Sequence, residues 1–568
     1  MGEFCSRNAF PLLEGWREGK KTCKRTLANL SNWPKHKIET LRKLLRDEVL
    51  VSPSDLFTAE QTLPHGHVEA VPGMIRKLGL GVMISSRRCR ERDLVVAMIA
   101  ERLLHACSKL ATTRIWHTTT LAEESGVEDA DEDDLYDAMD WLLSRRKQIE
   151  KKLAARHLTD GAVLLYDVSS SYYEGRKCPL ARYGHDRDGK KGLPIIVYGI
   201  MADSEGRPVA VTVYPGNTGD STTVADQTEK LREEFGLSRV VIVGDRGMLT
   251  QAQIVKLKEH PSLGWISALH NSSIRELVEK GALQLSLFDE KNLAEIISPD
   301  YPGERLIACY NPLLADERSR KRRELLAATE IALQKIARQV ARRTKTPMKA
   351  GEIGFKVGKV LGRHKMGKHF RLTIEEGFFR WERLQEAIDR EAMPDGIYVI
   401  RTSESTQRFT AEDTVRTYKS LSQVERAFRT MKGIDLMVRP IRHRTESRVP
   451  AHIFLCMPAC YVKWHMRRAL APILFEDDEL PALRKQRDPV APAECSGTSQ
   501  RKKRIRRTED GFEVHGFETL MAVLASQCRS TFRMKEDPAG PSFIQVSERT
   551  PIQARAFELP DLFPVKGR

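Results

Sequence analysis

The stretch "GAVLLYDVSSSYYEG", residues 161–175, is a short apolar run that passes into a polar, serine-rich segment, with Asp167 at the changeover. An apolar run of this length bounded by turn-forming residues reads as a buried β-strand. Two further strand candidates follow, "LPIIVYGIMA" (193–202) and "RPVAVTVYPG" (207–216), joined by the polar turn Asp203-Ser204-Glu205-Gly206. "STTVADQTEKLREEFG" (221–236) reads as a helix capped by Ser221 or Thr222. "SRVVIVGDRG" (238–247) is a second buried strand, with Asp245 at its carboxyl end. "QAQIVKLKEH" (251–260) then reads as a helix and "LGWISALH" (263–270) as a strand.

The texture differs on either side of this block. Residues 1–158 read as mostly helical and basic, with no leading strand. "KIETLRKLLRDE" (37–48), "RERDLVVAMIAERLLHACSKL" (90–110) and "DEDDLYDAMDWLLSRRKQIEKKLAARHL" (131–158) carry apolar residues at helical spacing. The last begins acidic and ends basic, the order that suits a helix dipole. Residues 271–395 interrupt the strand–helix rhythm with a long basic helix, "DERSRKRRELLAATEIALQKIARQVARRTK" (316–345), and a Lys-rich stretch of strand formers, "KVGKVLGRHKMGKHFRLTIEEGFF" (356–379). Regular elements resume in the strand "GIYVIRTS" (396–403) and a helix expected from Ala411 through Lys432. Residues 476–568 read as a linker containing "RKKRIRR" (501–507), a short helix "GFETLMAVLASQ" (516–527) and a loop-rich end.

The expected division is therefore 1–158, 159–270, 271–395, 396–475 and 476–568. With 271–395 set aside, three strands, a helix, a strand, a helix, a strand and a last strand–helix pair remain. That order is close to a ribonuclease-H-like α/β sheet interrupted by a mixed α+β insertion. In such a sheet an Asp on the first strand, an Asp at the end of the fourth and an acid on a late helix converge at one edge. Asp167, Asp245 and Glu425 stand in those places.

Three carboxylates on separate rigid elements suit phosphodiester chemistry. Charge on the attacking and leaving oxygens is balanced by two Mg²⁺ ions about 4 Å apart, and hard cations take carboxylate oxygens. Taken singly, Asp167 reads equally as a strand-end residue bonding the backbone of Ser169–Ser171. Asp245, followed by Arg246 and Gly247, reads equally as a turn residue, and Glu425 as a salt-bridged surface side chain. In "YKSLSQVERAFRTMKG" (418–433), Tyr418, Glu425 and Lys432 recur every seven residues, which keeps them within about 20° per step of one helical stripe. Arg429 follows Glu425 by one turn, so cations flank the acid where phosphate would lie.

The bulk properties agree. Lysine and arginine outnumber aspartate and glutamate 93 to 77, a net charge of +16, which favours a polyanionic partner such as nucleic acid, though a generically basic protein shows the same excess. No apolar run approaches 18 residues, so no membrane span is expected. The first twenty residues carry charges where a signal peptide needs an apolar core. Ten cysteines without framework spacing suit reduced thiols in a cytoplasm. His452, Cys456 and Cys460 fall at i, i+4, i+8, either a metal stripe or core residues of the apolar helix "AHIFLCMPACYV" (451–462). Pro458 interrupts that helix, where an interior proline costs about 3 kcal/mol.

On these residues the chain resembles the DDE transposases of bacterial insertion sequences, in the branch marked by Tyr-x2-Arg-x3-Glu-x6-Lys. "LLYDVSSSYYEG", "YPGNTGDSTT" (214–223), "VVIVGDRGM" (240–248) and "RPIRHRTESRVPAHIFLC" (439–456) carry the resemblance over roughly residues 15–475. Tyr418, Glu425 and Lys432 match the signature, and Leu421 replaces its Arg, with Lys419 or Arg426 available as substitutes. The resemblance implies Asp167, Asp245 and Glu425 as catalytic metal ligands for two Mg²⁺ ions, with Mn²⁺ able to replace them. It implies DNA contacts from Tyr418, Arg429, Lys432 and Arg246, and a β-rich insertion before the Glu. The implied activity is cut-and-paste DNA transposition: nicking at terminal inverted repeats, then attack of the freed 3′-hydroxyl on target DNA. The N-terminal region would bind the DNA ends and the C-terminal region would pair protomers, giving a homodimer on two ends in a bacterial, nucleoid-associated cytoplasmic setting. A nuclease without strand transfer, and a transposase-derived DNA-binding protein without catalysis, are the alternatives.

Overall fold

Strand, helix and turn signals in the sequence resolve into two compact units in a computed structural model that describes residues 10–46, 56–260, 262–289, 291–535 and 539–562. One unit comprises residues 1–63 with 528–547, the other 64–527 with 548–568. Residues 1–9, part of the stretch read as lacking a signal peptide's core, lie outside the described residues, as does the end of the helix expected over 37–48.

The first unit corrects the expectation of a helical N-terminus without a leading strand. Strands β1 (Pro11–Glu18) and β2 (Lys21–Asn29) pair antiparallel from Pro11↔Asn29 to Glu18↔Lys21. Gly19 closes the hairpin at φ +62°, a conformation only glycine adopts freely. A helix Lys35–Leu44 follows, and β3 (Phe57–Pro64) joins a three-stranded sheet with the strands Cys528–Met534 and Ser542–Val546.

The second unit is built on one mixed sheet. Its strands are β4 (Ala162–Tyr172), β5 (Ile195–Asp203), β6 (Pro208–Pro215), β7 (Val240–Val243), β8 (Leu263–Ala268), β9 (Leu293–Ile296) and β10 (Arg305–Tyr310). A separate hairpin of β11 (Phe370–Glu375) and β12 (Phe378–Arg383) precedes β13 (Ile397–Thr402). The sheet order is β6-β5-β4-β7-β8-β13-β10-β9. β4, β7 and β8 run parallel, and β5, β6, β13, β10 and β9 are joined antiparallel. The central strands are buried on both faces, which is why they read as unbroken apolar runs.

Helices cover the sheet. Gly66–Lys77, Arg90–Leu104, Glu132–Ser144 and Arg146–His157 bury Val71, Ile75, Leu94, Met98, Leu135, Met139 and Leu153 in the same core as β4–β8. The boundary expected at 158 thus does not separate two bodies. Arg448–Leu470 runs through this core, buried on nearly every side, as an all-round apolar helix must be. It is continuous across Pro458. His452, Cys456 and Cys460 are core residues of this helix, with the His452 ring Nε2 3.0 Å from the Val438 carbonyl.

In 271–395, the long basic helix Pro312–Arg342 packs with a second helix, Ala350–His364, and the β11–β12 hairpin around a small core of its own, including Leu333, Ile353 and Phe379. β9 and β10 from the same stretch extend the main sheet. The first half of the Lys-rich segment at 356–379 is thus helix rather than strand. In the expected linker, "RKKRI" lies in a helix, Gly497–Ile505, capped by Ser496, whose Oγ accepts from Ser499 N at 3.0 Å. Lys502 is drawn into the structure by the Ala471 carbonyl (2.9 Å) and Asp478 (3.1 Å). Among the described residues no helix is long and apolar enough to cross a membrane.

Candidate functional site

The parallel pairing of β4 with β7 ends at Leu165↔Val243. Asp167 and Asp245 each come two residues later, so two carboxylates leave neighbouring strands at the same end, with strand axes about 4.8 Å apart. Beyond that point β4 continues to Tyr172 paired only with β5, where Asp167 faces Ile200. Asp167 is therefore mid-strand rather than at a strand end, at the place where its other neighbour stops.

Glu425 reaches the same edge from the helix Ser422–Lys432. Val424, Ala427, Phe428 and Met431, at helical spacing, are buried. The helix packs on β4 and β5, and the Phe428 ring lies 5.7 Å from Tyr198. This leaves Glu425, Arg429 and Lys432 facing an open cleft of about 500 Å³, also lined by Asp167, Asp245, Arg187, Asp188, Asp220 and Arg439.

The surroundings distinguish the readings of each acid. Glu425 is exposed and its carboxylate forms no hydrogen bond or ion pair among the described residues, so it is not a salt-bridged surface glutamate. Asp245 Oδ1 accepts from Met248 N at 2.8 Å, and its carbonyl accepts from Met248 N, Leu249 N and Ser267 Oγ. It does shape a turn, with its second carboxylate oxygen left open to the cleft. Asp167 Oδ1 accepts from Val168 N at 2.8 Å, not from the serine backbone. Burial pushes the Asp167 carboxyl up to about 7; Asp245 and Glu425 add like-charge repulsion, while the Val168 N–H and Arg187 oppose it.

The expected DNA-contacting residues separate. Arg429 is exposed and without an acidic partner among the described residues, while Arg246 is exposed and 3.4 Å from Asn271 Oδ1. Lys432 Nζ is 3.0 Å from Asp188 Oδ1, and burial lowers its pKa. Tyr418 belongs to a different helix, Ala411–Lys419, which ends before Leu421 opens the next. The seven-residue stripe through Tyr418 is thus not one helix. Tyr418 still stands beside the acids: burial first, and Asp245 next, push its hydroxyl up to about 12. Leu421 packs against the core at the helix junction. Lys419 bonds the Pro489 carbonyl, and Arg426 faces a different cavity, so neither stands in for the missing Arg in this cleft.

Sequence reasoning missed Asp188. Its carboxylate is 1% exposed and bonded to Lys432, Arg439 and Tyr172 N, which ties the loop after β4 to the Glu425 helix. Arg187 pairs with Asp220, whose stretch "YPGNTGDSTT" was already singled out. The signal for Asp188 was weak, a charged Gly-rich loop, "HDRDGKKG" (185–192), with nothing local to name its partners.

Among the described residues no three His, Cys, Asp or Glu side chains stand close enough together to hold a metal ion as a closed group. The donor chemistry nevertheless suits a hard cation. Three carboxylates share one cleft, none of them ion-paired, and burial and mutual repulsion raise the pKa of one.

No curated protein matches the chain. A solved piggyBac transposase synaptic complex with hairpin DNA aligns over 70% of this chain and 72% of its own, at 11% identity and a TM-score of 0.32. Residues 159–462, more than half of the 568, match the family model described as "Transposase DDE domain". The match spans β4 through most of the buried helix Arg448–Leu470 and contains Asp167, Asp245 and Glu425, and the chain belongs to the transposase DDE domain family.

Proposed function

We propose that the protein is a metal-dependent DNA transposase of the bacterial insertion-sequence type. In this reading the β6-β5-β4-β7-β8 part of the sheet is a ribonuclease-H-like core, and Asp167, Asp245 and Glu425 are its catalytic carboxylates. The observation that carries the proposal is that three unpaired acids from β4, the β7 end and the helix Ser422–Lys432 line one cleft inside the family-matched segment.

Two bound Mg²⁺ ions, replaceable by Mn²⁺, would supply Lewis-acid stabilisation of the attacking and leaving oxygens. Asp167, Asp245 and Glu425 would hold them, and Asp167 gives up its proton in doing so, which couples metal binding to pH. Arg429 and Arg246 face the phosphate backbone as unneutralised cations. Lys432 serves through Asp188, fixing the helix that presents Glu425. Tyr418 stays protonated at neutral pH and so offers a hydrogen bond rather than a charge. The double-stranded substrate carries terminal inverted repeats, a dimer pairs the two ends, and the 3′-hydroxyl freed by nicking joins target DNA.

The test is cleavage of a labelled duplex bearing the flanking inverted repeat, with Mg²⁺ or Mn²⁺. Asp167→Ala, Asp245→Ala and Glu425→Ala should each lower terminal cleavage by roughly 100-fold or more. Equal cleavage by the wild type and all three variants would refute the assignment. Repeat-specific binding without cleavage under every metal would instead identify a transposase-derived DNA-binding protein.

A further inference from the structure

The helix Ser422–Lys432 separates two cavities of opposite character. Glu425, Phe428, Arg429 and Lys432 line the acidic cleft, whereas Gln423, Arg426, Ala427 and Thr430 line a second cavity of about 600 Å³. The remaining walls come mainly from the helices Arg448–Leu470 and Leu480–Gln486, which contribute Arg467, Arg468, Arg484 and Lys485.

Some of the wall charges are already matched. Arg467 pairs with Glu476, Arg416 with Asp413, and Lys463 with Glu518 at 2.6 Å. The acids that remain are also engaged: Glu205 by Arg207 at 3.3 Å, and Asp477 by the Ser496 amide and hydroxyl at 2.7 and 2.8 Å. Arg426, Arg468, Arg484 and Lys485 have no acidic partner within ion-pair distance among the described residues. Arg484 is half-buried, and what it meets is neutral: the Gln423 amide, turned so that its oxygen faces the guanidinium, accepts from Nη2 at 2.8 Å. Burial, with Arg426 and Arg487 nearby, depresses the Arg484 pKa. Crowded, partly desolvated guanidinium groups without an anion are costly, and a ligand that brings one relieves the cost. The planar guanidinium fork matches phosphate oxygens.

We infer that this cavity is a phosphate-binding site on the far side of the Glu425 helix from the acidic cleft, and that its phosphate comes from a DNA backbone. Arg426 and Arg484 grip the phosphate, and Arg468 and Lys485 complete the charge at the exposed rim. A strand seated there presses on the face of the helix opposite Glu425. The DNA source rests on the transposase reading; the phosphate chemistry of the pocket does not.

The full-length protein tests this with two probes. The first is a 20-base-pair duplex of random sequence, its affinity measured across a KCl series. In Arg426→Gln/Arg484→Gln the plot of log affinity against log salt should flatten by roughly 1 to 2, since each lost phosphate contact removes about 0.9 from the slope. The second is sodium tripolyphosphate, which should raise the wild-type melting temperature and leave that of the double variant unmoved. Arg468→Gln/Lys485→Gln, altered only at exposed positions, repeats both measurements if the first pair fails to fold. A flatter slope supports a DNA ligand. An unchanged slope with a lost tripolyphosphate shift supports the phosphate site and overturns DNA as its source. Unchanged behaviour towards both probes overturns the proposal. Asp167→Ala, which removes cleavage in the transposase reading, should keep the wild-type salt slope, so the two ideas fail separately.

Discussion

Asp188 shows how one side chain constrains the cleft without being one of its catalytic candidates. Its carboxylate is 1% exposed and answers two cations, Lys432 at 3.0 Å and Arg439. A buried acid between two cations contributes modestly while intact, but its removal strands both partners, and breaking such a group costs about 3–5 kcal/mol. Asp188→Ala should therefore destabilise the protein by about 3 kcal/mol, read as a lower urea midpoint. Asp188→Ala/Lys432→Met should recover part of that loss because one stranded charge is gone. If the double variant is less stable than the single one, the cations were not the source of the cost. The same contact could not be read at Lys432 from the sequence. Its helical position is correct, but its partner lies 244 residues earlier in the chain.

At the scale of elements, the turn between β5 and β6 positions the helix that carries Glu425. Gly206 sits there at φ +85°, and a Cβ added to it would meet the Gln423 Cβ at 2.5 Å. Gly192 has the same φ, yet an added Cβ meets nothing within 4 Å. Both Gly→Ala changes incur a backbone penalty of about 1–2 kcal/mol, but Gly206→Ala also drives the helix away from the sheet. The expected outcome is a loss of inverted-repeat cleavage in Gly206→Ala well beyond that in Gly192→Ala, at matched melting temperatures. Equal activity in the two would mean that this turn does not set the helix position. Much of this arrangement was legible beforehand. The apolar runs at 162–166, 195–202 and 240–243 fell into strands because centrally buried strands leave no polar alternation to misread. The turn Asp203–Gly206 was legible because Asp and Gly have local reasons to be there: Asp203 Oδ1 accepts from Glu205 N and Arg207 N. The break between Lys419 and Ser422 was not, since neither Gly nor Pro marks it. Nor was the hairpin at 11–29, whose strands are largely exposed and lack an apolar face.

Across the whole molecule, the buried histidines set how the fold responds to acid. Burial lowers His67, His157, His443 and His465 to about 4, and it holds His452 well below the ordinary histidine range. Neighbouring charges reinforce this: Arg102 and Lys109 beside His443 and His452, and Arg207 and Arg156 beside His157 and His465. A group whose folded pKa lies below its unfolded value stabilises the fold above the unfolded pKa, near 6.5, and that contribution is lost as pH falls towards the folded value. Burial moves Asp167, Glu101 and Glu150 the opposite way, so these carboxyls take up protons in the folded state and gain stability as pH falls. Burial lowers His369 as well, so six lowered histidines stand against three raised carboxyls, and the unfolded chain holds more protons than the folded one below pH 6.5. The melting temperature should accordingly fall steadily between pH 6.5 and 5, and His443→Gln, which removes one of these histidines, should shallow the fall. A melting temperature that is flat or rising over that range would show that the carboxyls outweigh the histidines. Chelator in every sample keeps Asp167 free of cation, so the measurement reads the fold's own groups rather than the occupancy of the cleft.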